Sequence, residues 1–144
     1  MSPEIPANAF AMPFTVAADM VDVQQRVSNQ EYVGILSRAA SEHSEALGWG
    51  LAEYHQLGAW WVVRRHEIDY LQPARLGDEL VCHTWPSGFS KAKADRRHVI
   101  TRPADGATIL RALNTWALID MATERPRRIP PELIKSFDPS QWVS

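Results

Sequence analysis

The sequence predicts a two-layer α+β domain, one long helix against an antiparallel sheet of about five strands. Three observations predict it. Residues 29–47 carry apolar side chains at the 3, 4, 7, 8 spacing of a single buried helix face. From Ala59 to Met121 the chain reads as consecutive β-prone runs joined by short turns, which only antiparallel pairing allows. The chain has 144 residues, 45% of them hydrophobic and 22% charged, which suits one domain with one sizeable core.

Each element follows from local chemistry. Met1–Pro13 contains Pro3, Pro6 and Pro13 and reads as an irregular arm, with Phe14–Val21 as the first strand. Asp22–Val27 is a polar loop. The helix begins at Ser28, where the S-x-x-E spacing of Ser28 and Glu31 predicts a capping box. Its buried stripe is Tyr32, Ile35, Leu36, Ala39, Ala40, His43, Ala46 and Leu47, and Gly48 stops it. Gly34 costs roughly 1 kcal/mol against alanine in such a helix, offset by close approach of a strand or ligand, or simply tolerated.

Ala59–Leu71 is a long strand, and Gln72–Asp78 a turn. Glu79–Trp85 is the next strand, broken by Pro86-Ser87-Gly88. Lys91–Arg102 and Ala107–Met121 complete the sheet around a turn at Pro103–Gly106. Thr123–Pro131 is a Pro- and Arg-rich loop before a short helix at Pro131–Phe137, with proline at its start. No repeat or low-complexity segment interrupts residues 1–144, so one domain is expected, with residues 124–144 as C-terminal loop and short helix.

Composition excludes several functions. A net charge of −2 gives no pull toward nucleic acid or acidic membranes. A single cysteine, Cys82, rules out an internal disulfide and fits a reducing compartment. Met1–Phe10 lacks the basic start and apolar core of a signal peptide. The run Ala59–Val63 is too short to span a bilayer, so a cytoplasmic protein without membrane contact is expected. The five histidines form no metal-ligand spacing with each other or with Cys82. No G-x-S-x-G elbow, P-loop or dinucleotide fingerprint occurs. Neither a metal nor a cofactor is expected.

The segment Asp22–Tyr32 carries the chemistry. A carboxylate six residues before a helix cap lies near a row of free backbone N–H groups. That pairs a base or nucleophile with a dipole that stabilises an oxyanion, the requirement for acyl transfer from a thioester or ester. Spacing alone equally allows Asp22 to be a turn cap. In Lys91, Lys93, Arg96 and Arg97, strand parity puts Lys91, Lys93 and Arg97 on one face. Those three suit either an anion site or a solvated strand face. His43, on the apolar helix face, is expected to be a packed core histidine. Trp60 and Trp61 point to opposite faces of one strand.

The run Asp22-Val23-Gln24-Gln25-Arg26-Val27-Ser28-Asn29-Gln30-Glu31-Tyr32 resembles the D-x-x-G-H-V-N-N-x-x-Y signature of hotdog-fold thioesterases. The 4-hydroxybenzoyl-CoA thioesterase and acyl-CoA thioester hydrolase branch is the most similar. Ala46-Leu47-Gly48, Glu67–Leu80, Trp116–Asp120, Arg125-Pro126 and Ile129-Pro130 match further family segments in order. Gln25-Arg26 replaces the family's Gly-His, and Ser28 its first Asn.

The resemblance implies a long helix wrapped by a curved antiparallel sheet, in a homodimer or homotetramer with active sites between subunits. It implies hydrolysis of an acyl- or aryl-CoA thioester, or an acyl carrier protein thioester, without metal or redox cofactor. Asp22 would be general base or nucleophile, and the Asn29 backbone N–H would polarise the carbonyl. Arg26 and Tyr32 would contact substrate, and Lys91, Lys93 and Arg97 the CoA phosphates. A non-catalytic acyl-binding module of the same fold is the alternative. Glu31 and Glu42 are further acids, since some hotdog thioesterases use a helix carboxylate.

Overall fold

The computed structural model describes residues 5–137. In order these are β1 (Phe10–Thr15), a single 3-10 turn at Ala18–Met20, α1 (Asn29–Ala46), α2 (Leu51–Leu57), β2 (Ala59–Tyr70), β3 (Glu79–Ser90), β4 (Lys93–Arg102), β5 (Ala107–Asp120) and α3 (Pro131–Ser136). One antiparallel sheet has the order β1-β3-β4-β5-β2. This is the arrangement of one long helix and five antiparallel strands that the sequence predicts.

Helix α1 lies on the sheet with Tyr32, Ile35, Leu36, Ala39, Ala40 and His43 buried. Its stop is as expected: Gly48 takes φ +91°, a left-handed conformation that ends a helix at little cost in glycine. Among the described residues nothing lies within 4 Å of where a Cβ on Gly34 would stand, so no close approach of theirs explains it.

Three expectations need correction, and a short helix lies where none was predicted. The first strand is Phe10–Thr15, not Phe14–Val21, so of the arm's described residues only 5–9 are irregular; residues 1–4 lie outside the described residues. Pro13 is tolerated because β1 is an edge strand and pairs only with β3, opposite Val81. The strand expected to end at Trp85 continues to Ser90, through Pro86. Pairing with β1 reaches only to Thr84, so at Pro86 that side of β3 has no ladder hydrogen bond to lose, and a register shift before Gly88 absorbs the rest.

The stretch before Gly58 contains α2, which its seven residues made hard to read. Its signals are Gly50 at the N-cap, bonded by the Glu53 carboxylate at 2.9 Å, and Gly58 at φ +81°. Finally, Lys91 lies in the β3–β4 turn at φ +52°, not in the strand. It therefore shares no strand face with Lys93.

Two apolar clusters form the core. One joins the first half of α1 to Leu80, Cys82, Ile100, Leu110 and Ala112. The other joins Tyr54, Leu118, Ile129, Leu133 and Phe137 beyond its far end. Burying a leucine or isoleucine here contributes about 2 kcal/mol.

Between the clusters runs a buried polar band. Register places Thr84 opposite His98, and Arg96 opposite Asn114, itself opposite His66. Arg96 Nη1 donates to Thr84 Oγ1 at 3.1 Å and meets His43 Nδ1 at 3.0 Å. Burial, then the Arg96 charge, pushes both His43 and His98 down to about 3. Both are therefore neutral in the fold, and His43 Nδ1 accepts from Arg96.

A histidine kept neutral below its unfolded value stabilises the fold above pH 6.5 and loses that contribution as pH falls toward 3. Thermal unfolding followed by circular dichroism should show the midpoint declining through this window, as the unfolding free energy falls by up to about 1.4 kcal/mol per pH unit for each histidine. His43→Gln should flatten the decline; an unchanged profile would contradict the neutral assignment.

Candidate active site at the start of the long helix

Asp22 opens a tight loop that its own carboxylate closes. Its Oδ1 accepts the Gln24 N–H at 2.8 Å and the Arg26 N–H at 3.3 Å. The Asp22 N–H donates to the Arg26 carbonyl at 2.8 Å, and the Gln25 N–H to the Asp22 carbonyl at 3.0 Å. Gln25 takes φ +64°, the position where the family signature has glycine. A bridge between Val21 and Val27 seals the loop, and Asp22 stays exposed. Its Oδ2 accepts no hydrogen bond among the described residues. The turn-cap and chemical readings of Asp22 are thus compatible: one oxygen holds the loop and the other faces outward.

The loop is anchored to the β2–β3 connection. The Val27 N–H donates to the Ala74 carbonyl at 2.9 Å, and Arg26 bridges Arg75. That connection is itself stapled. Arg102 Nη1 donates to Asp78 at 3.0 Å and to the Pro73 carbonyl at 3.1 Å, while Asp78 accepts the Arg75 N–H at 2.9 Å. The start of α1 therefore rests on a fixed rim.

The expected capping box is absent. Ser28 is the N-cap, but its side chain makes no capping bond, and Glu31 meets Ser28 through its backbone N–H, at 3.0 Å to the carbonyl. The N–H groups of Asn29 and Gln30 are left without partners among the described residues. A helix start with free donors favours negative charge.

Asn29 lines a cavity of about 240 Å³ together with Arg26, Val27, Tyr32, Tyr70 and residues 71–73. Tyr32 is 4% exposed, and its ring stands 5.8 Å from that of Tyr70. Burial first, then Tyr70, pushes the Tyr32 hydroxyl up to about 12, so it remains a neutral donor. Arg26, Asn29 and Tyr32 are thus brought together, beside the Asp22 loop. The Arg26 side chain makes no ion pair with Asp22; their contacts are through the backbone.

Lys91, Lys93 and Arg97 are not brought to this cavity by their own chain. The β3–β4 turn holds Lys91, whose carbonyl accepts the Ile129 N–H, and Lys93 borders a separate groove beside Gly88 and Thr115. This is the opposite end of β4 from Arg102, about 30 Å along the strand. Glu42 is engaged on the helix surface by Arg38 at 3.0 Å. Tyr70 was missed as a site residue, although its place at the end of β2 is visible in the alternation of that strand. Among the described residues no group of three or more His, Cys, Asp or Glu could hold a metal, and no helix is long and apolar enough to cross a membrane.

Residues 7–137 match the family model of the acyl-ACP thioesterase N-terminal domain. The chain belongs to this thioesterase family. A chloroplastic acyl-[acyl-carrier-protein] hydrolase of Cuphea viscosissima is 24% identical over 137 residues, 91% of this chain and 33% of that protein. The chain thus spans about a third of the length of that relative. The long-chain acyl-CoA thioesterase FadM of Escherichia coli is 29% identical over 121 residues, 82% of this chain and 89% of FadM. A Staphylococcus aureus protein solved in complex with CoA superposes with a TM-score of 0.88 at 16% identity, covering 100% of this chain and 91% of that one. The fold is the hotdog fold of thioesterases. These matches establish the thioesterase family; the 4-hydroxybenzoyl-CoA branch is a narrower statement that they do not make.

The missing cap bond yields a stability test. Ser28→Ala should cost less than about 0.5 kcal/mol in urea unfolding, against the roughly 1 kcal/mol typical of a functioning serine cap. A loss of 1 kcal/mol or more would show that Ser28 does cap α1.

Proposed function

We propose that this acyl-ACP thioesterase family member hydrolyses an acyl-CoA thioester to the free acid and CoA, with Asp22 as general base. The observation that carries the reading is the free N–H of Asn29 at the start of α1, on a cavity that Arg26 of the Asp22 loop also lines. With the thioester carbonyl against Asn29 N–H, Asp22 takes a proton from water. The resulting hydroxide adds to the carbonyl carbon. The oxyanion is held by the helix start, where one such donor contributes on the order of 3 kcal/mol to the barrier. Collapse breaks the C–S bond, and the proton returns to the departing thiolate. Direct attack by Asp22, through an anhydride that water then opens, is the other route open to the same carboxylate.

Tyr32 and Tyr70 form the acyl-facing wall in this reading, and Arg26 meets an anionic part of the substrate. FadM, similar in length to this chain and named for long-chain acyl-CoA, supports CoA as the carrier. The family model and the Cuphea relative, named for acyl carrier protein, support the second reading, a carrier-protein thioester. The Lys91, Lys93 and Arg97 group binds CoA phosphates only if a second copy presents it. Strand β2 suits such a copy. It is a 12-residue edge strand with Trp60, Val62 and Tyr70 exposed, and Tyr70 also lines the cavity. A homodimer paired along β2 would set each site beside its partner.

Thiol release from short, medium, long and aryl CoA esters, and from acyl carrier protein esters, tests the reading. Asp22→Asn keeps the Oδ1 acceptor that closes the loop, so the fold should be unchanged while kcat falls about 100- to 10,000-fold. Full activity in that variant, or no turnover of any ester, would refute the proposal; tight binding without turnover would select the acyl-binding module.

A further inference from the structure

A second cavity, of about 110 Å³, lies near the far end of α1 and shares no residue with the one at Asn29. Along the helix, Asn29 and Ser44 stand about 22 Å apart. Six aromatic side chains wall this second cavity: Trp49, Tyr54, Trp61, Phe89, Trp116 and Phe137. Into this apolar surround comes Arg96, 8% exposed.

Arg96 is the anomaly. A buried arginine is ordinarily paired with a carboxylate, because desolvating an unpaired charge is expensive. Arg96 makes no ion pair among the described residues. Its contacts are neutral: Thr84 Oγ1, His43 Nδ1 and the face of the Phe137 ring at 5.6 Å. Its Nε and Nη2 donate to none of the described residues. Asp95 also borders the cavity, but its carboxylate accepts from Thr115 Oγ1 at 2.9 Å and does not pair with Arg96. Burial draws Arg96 down to about 10, which still leaves it cationic at neutral pH.

Trp116 stands in the same wall. The indole N–H of Trp116 is buried with no acceptor among the described residues. A cation with two nitrogens that meet no acceptor among the described residues, in an aromatic cavity, defines the complementary ligand. Its head is an anion accepting from the guanidinium, and its body is small and apolar. The volume is too small for a nucleotide.

We infer that the cavity at Arg96 is a binding site for a small monocarboxylate with an apolar body, separate from the site at Asp22. The carboxylate would accept from the guanidinium, and the body would stack among the tryptophans. Because the inference does not depend on the chemistry at Asp22, Asp22→Asn should leave it intact.

Benzoate is the probe and benzamide, its neutral counterpart of the same shape, the control. Both are titrated into the full chain by calorimetry and by tryptophan fluorescence, to which Trp49, Trp61 and Trp116 report. Benzoate should saturate and bind at least about tenfold tighter than benzamide, a difference of about 1.4 kcal/mol. Arg96→Gln should erase that preference, and Trp116→Phe, which removes only the N–H and part of the ring, should weaken benzoate several-fold if the arginine variant does not fold. Asp22→Asn should bind benzoate as the parent does. Equal affinity for the two probes, no saturation at about 10 mM, or loss of binding in Asp22→Asn would overturn the inference.

Discussion

Burying one face of an 18-residue helix on a single sheet is the constraint from which this molecule follows. The helix cannot satisfy its stripe alone, so the sheet must present an inner face along its whole length. Strands β3, β4 and β5 supply it through alternation, with Leu80, Cys82, Ile100, Leu110 and Ala112 turned toward α1. Once the helix is laid down, its two ends have fixed and different surroundings. One meets the Asp22 loop and the β2–β3 connection; the other meets α2, α3 and the aromatic cavity.

The helix start shows how a local loss becomes a capability. Ser28 does not cap, and the first donors of α1 stay free. In an ordinary helix this would be a small defect. Here the Val27–Ala74 bond and the Arg102 staple hold the helix start against a cavity, so the Asn29 donor lies at a defined space. Asp22 joins them through a loop that its own Oδ1 closes, leaving its other oxygen outward. Loop closure and the proposed proton transfer thus use different atoms of one side chain.

The inner face is not uniformly apolar, and the exception is organised. Thr84, Arg96, His98, Asn114 and His66 cross the sheet as a band between two apolar clusters. Such a band weakens packing relative to hydrocarbon, since each buried polar atom needs a partner. His98 Nε2 and Asn114 Oδ1 have none among the described residues. The band gives the interior two chemically distinct compartments, one beneath the proposed thioester site and one around Arg96.

By itself the sequence determined the fold class, the bounds of α1, the course of β2, β4 and β5 to within about two residues, and the segment that holds the candidate site. These are written in periodicities of 3.6 and 2 and in ordered local motifs, which a linear reading can detect. Only the tertiary structure decided the rest. Pro13 and Pro86 looked like strand breakers, yet both are accommodated where no neighbouring strand needs their missing N–H. Ser28 and Glu31 had the spacing of a capping box, but the final geometry brings only the backbone into contact. Arg96 belongs to a basic run but lies off the face of Lys93 and Arg97, and only the packing of α1 on the sheet buried it against His43. In each case the deciding quantity was which groups from distant parts of the chain end up adjacent. Spacing along the chain carries no record of that.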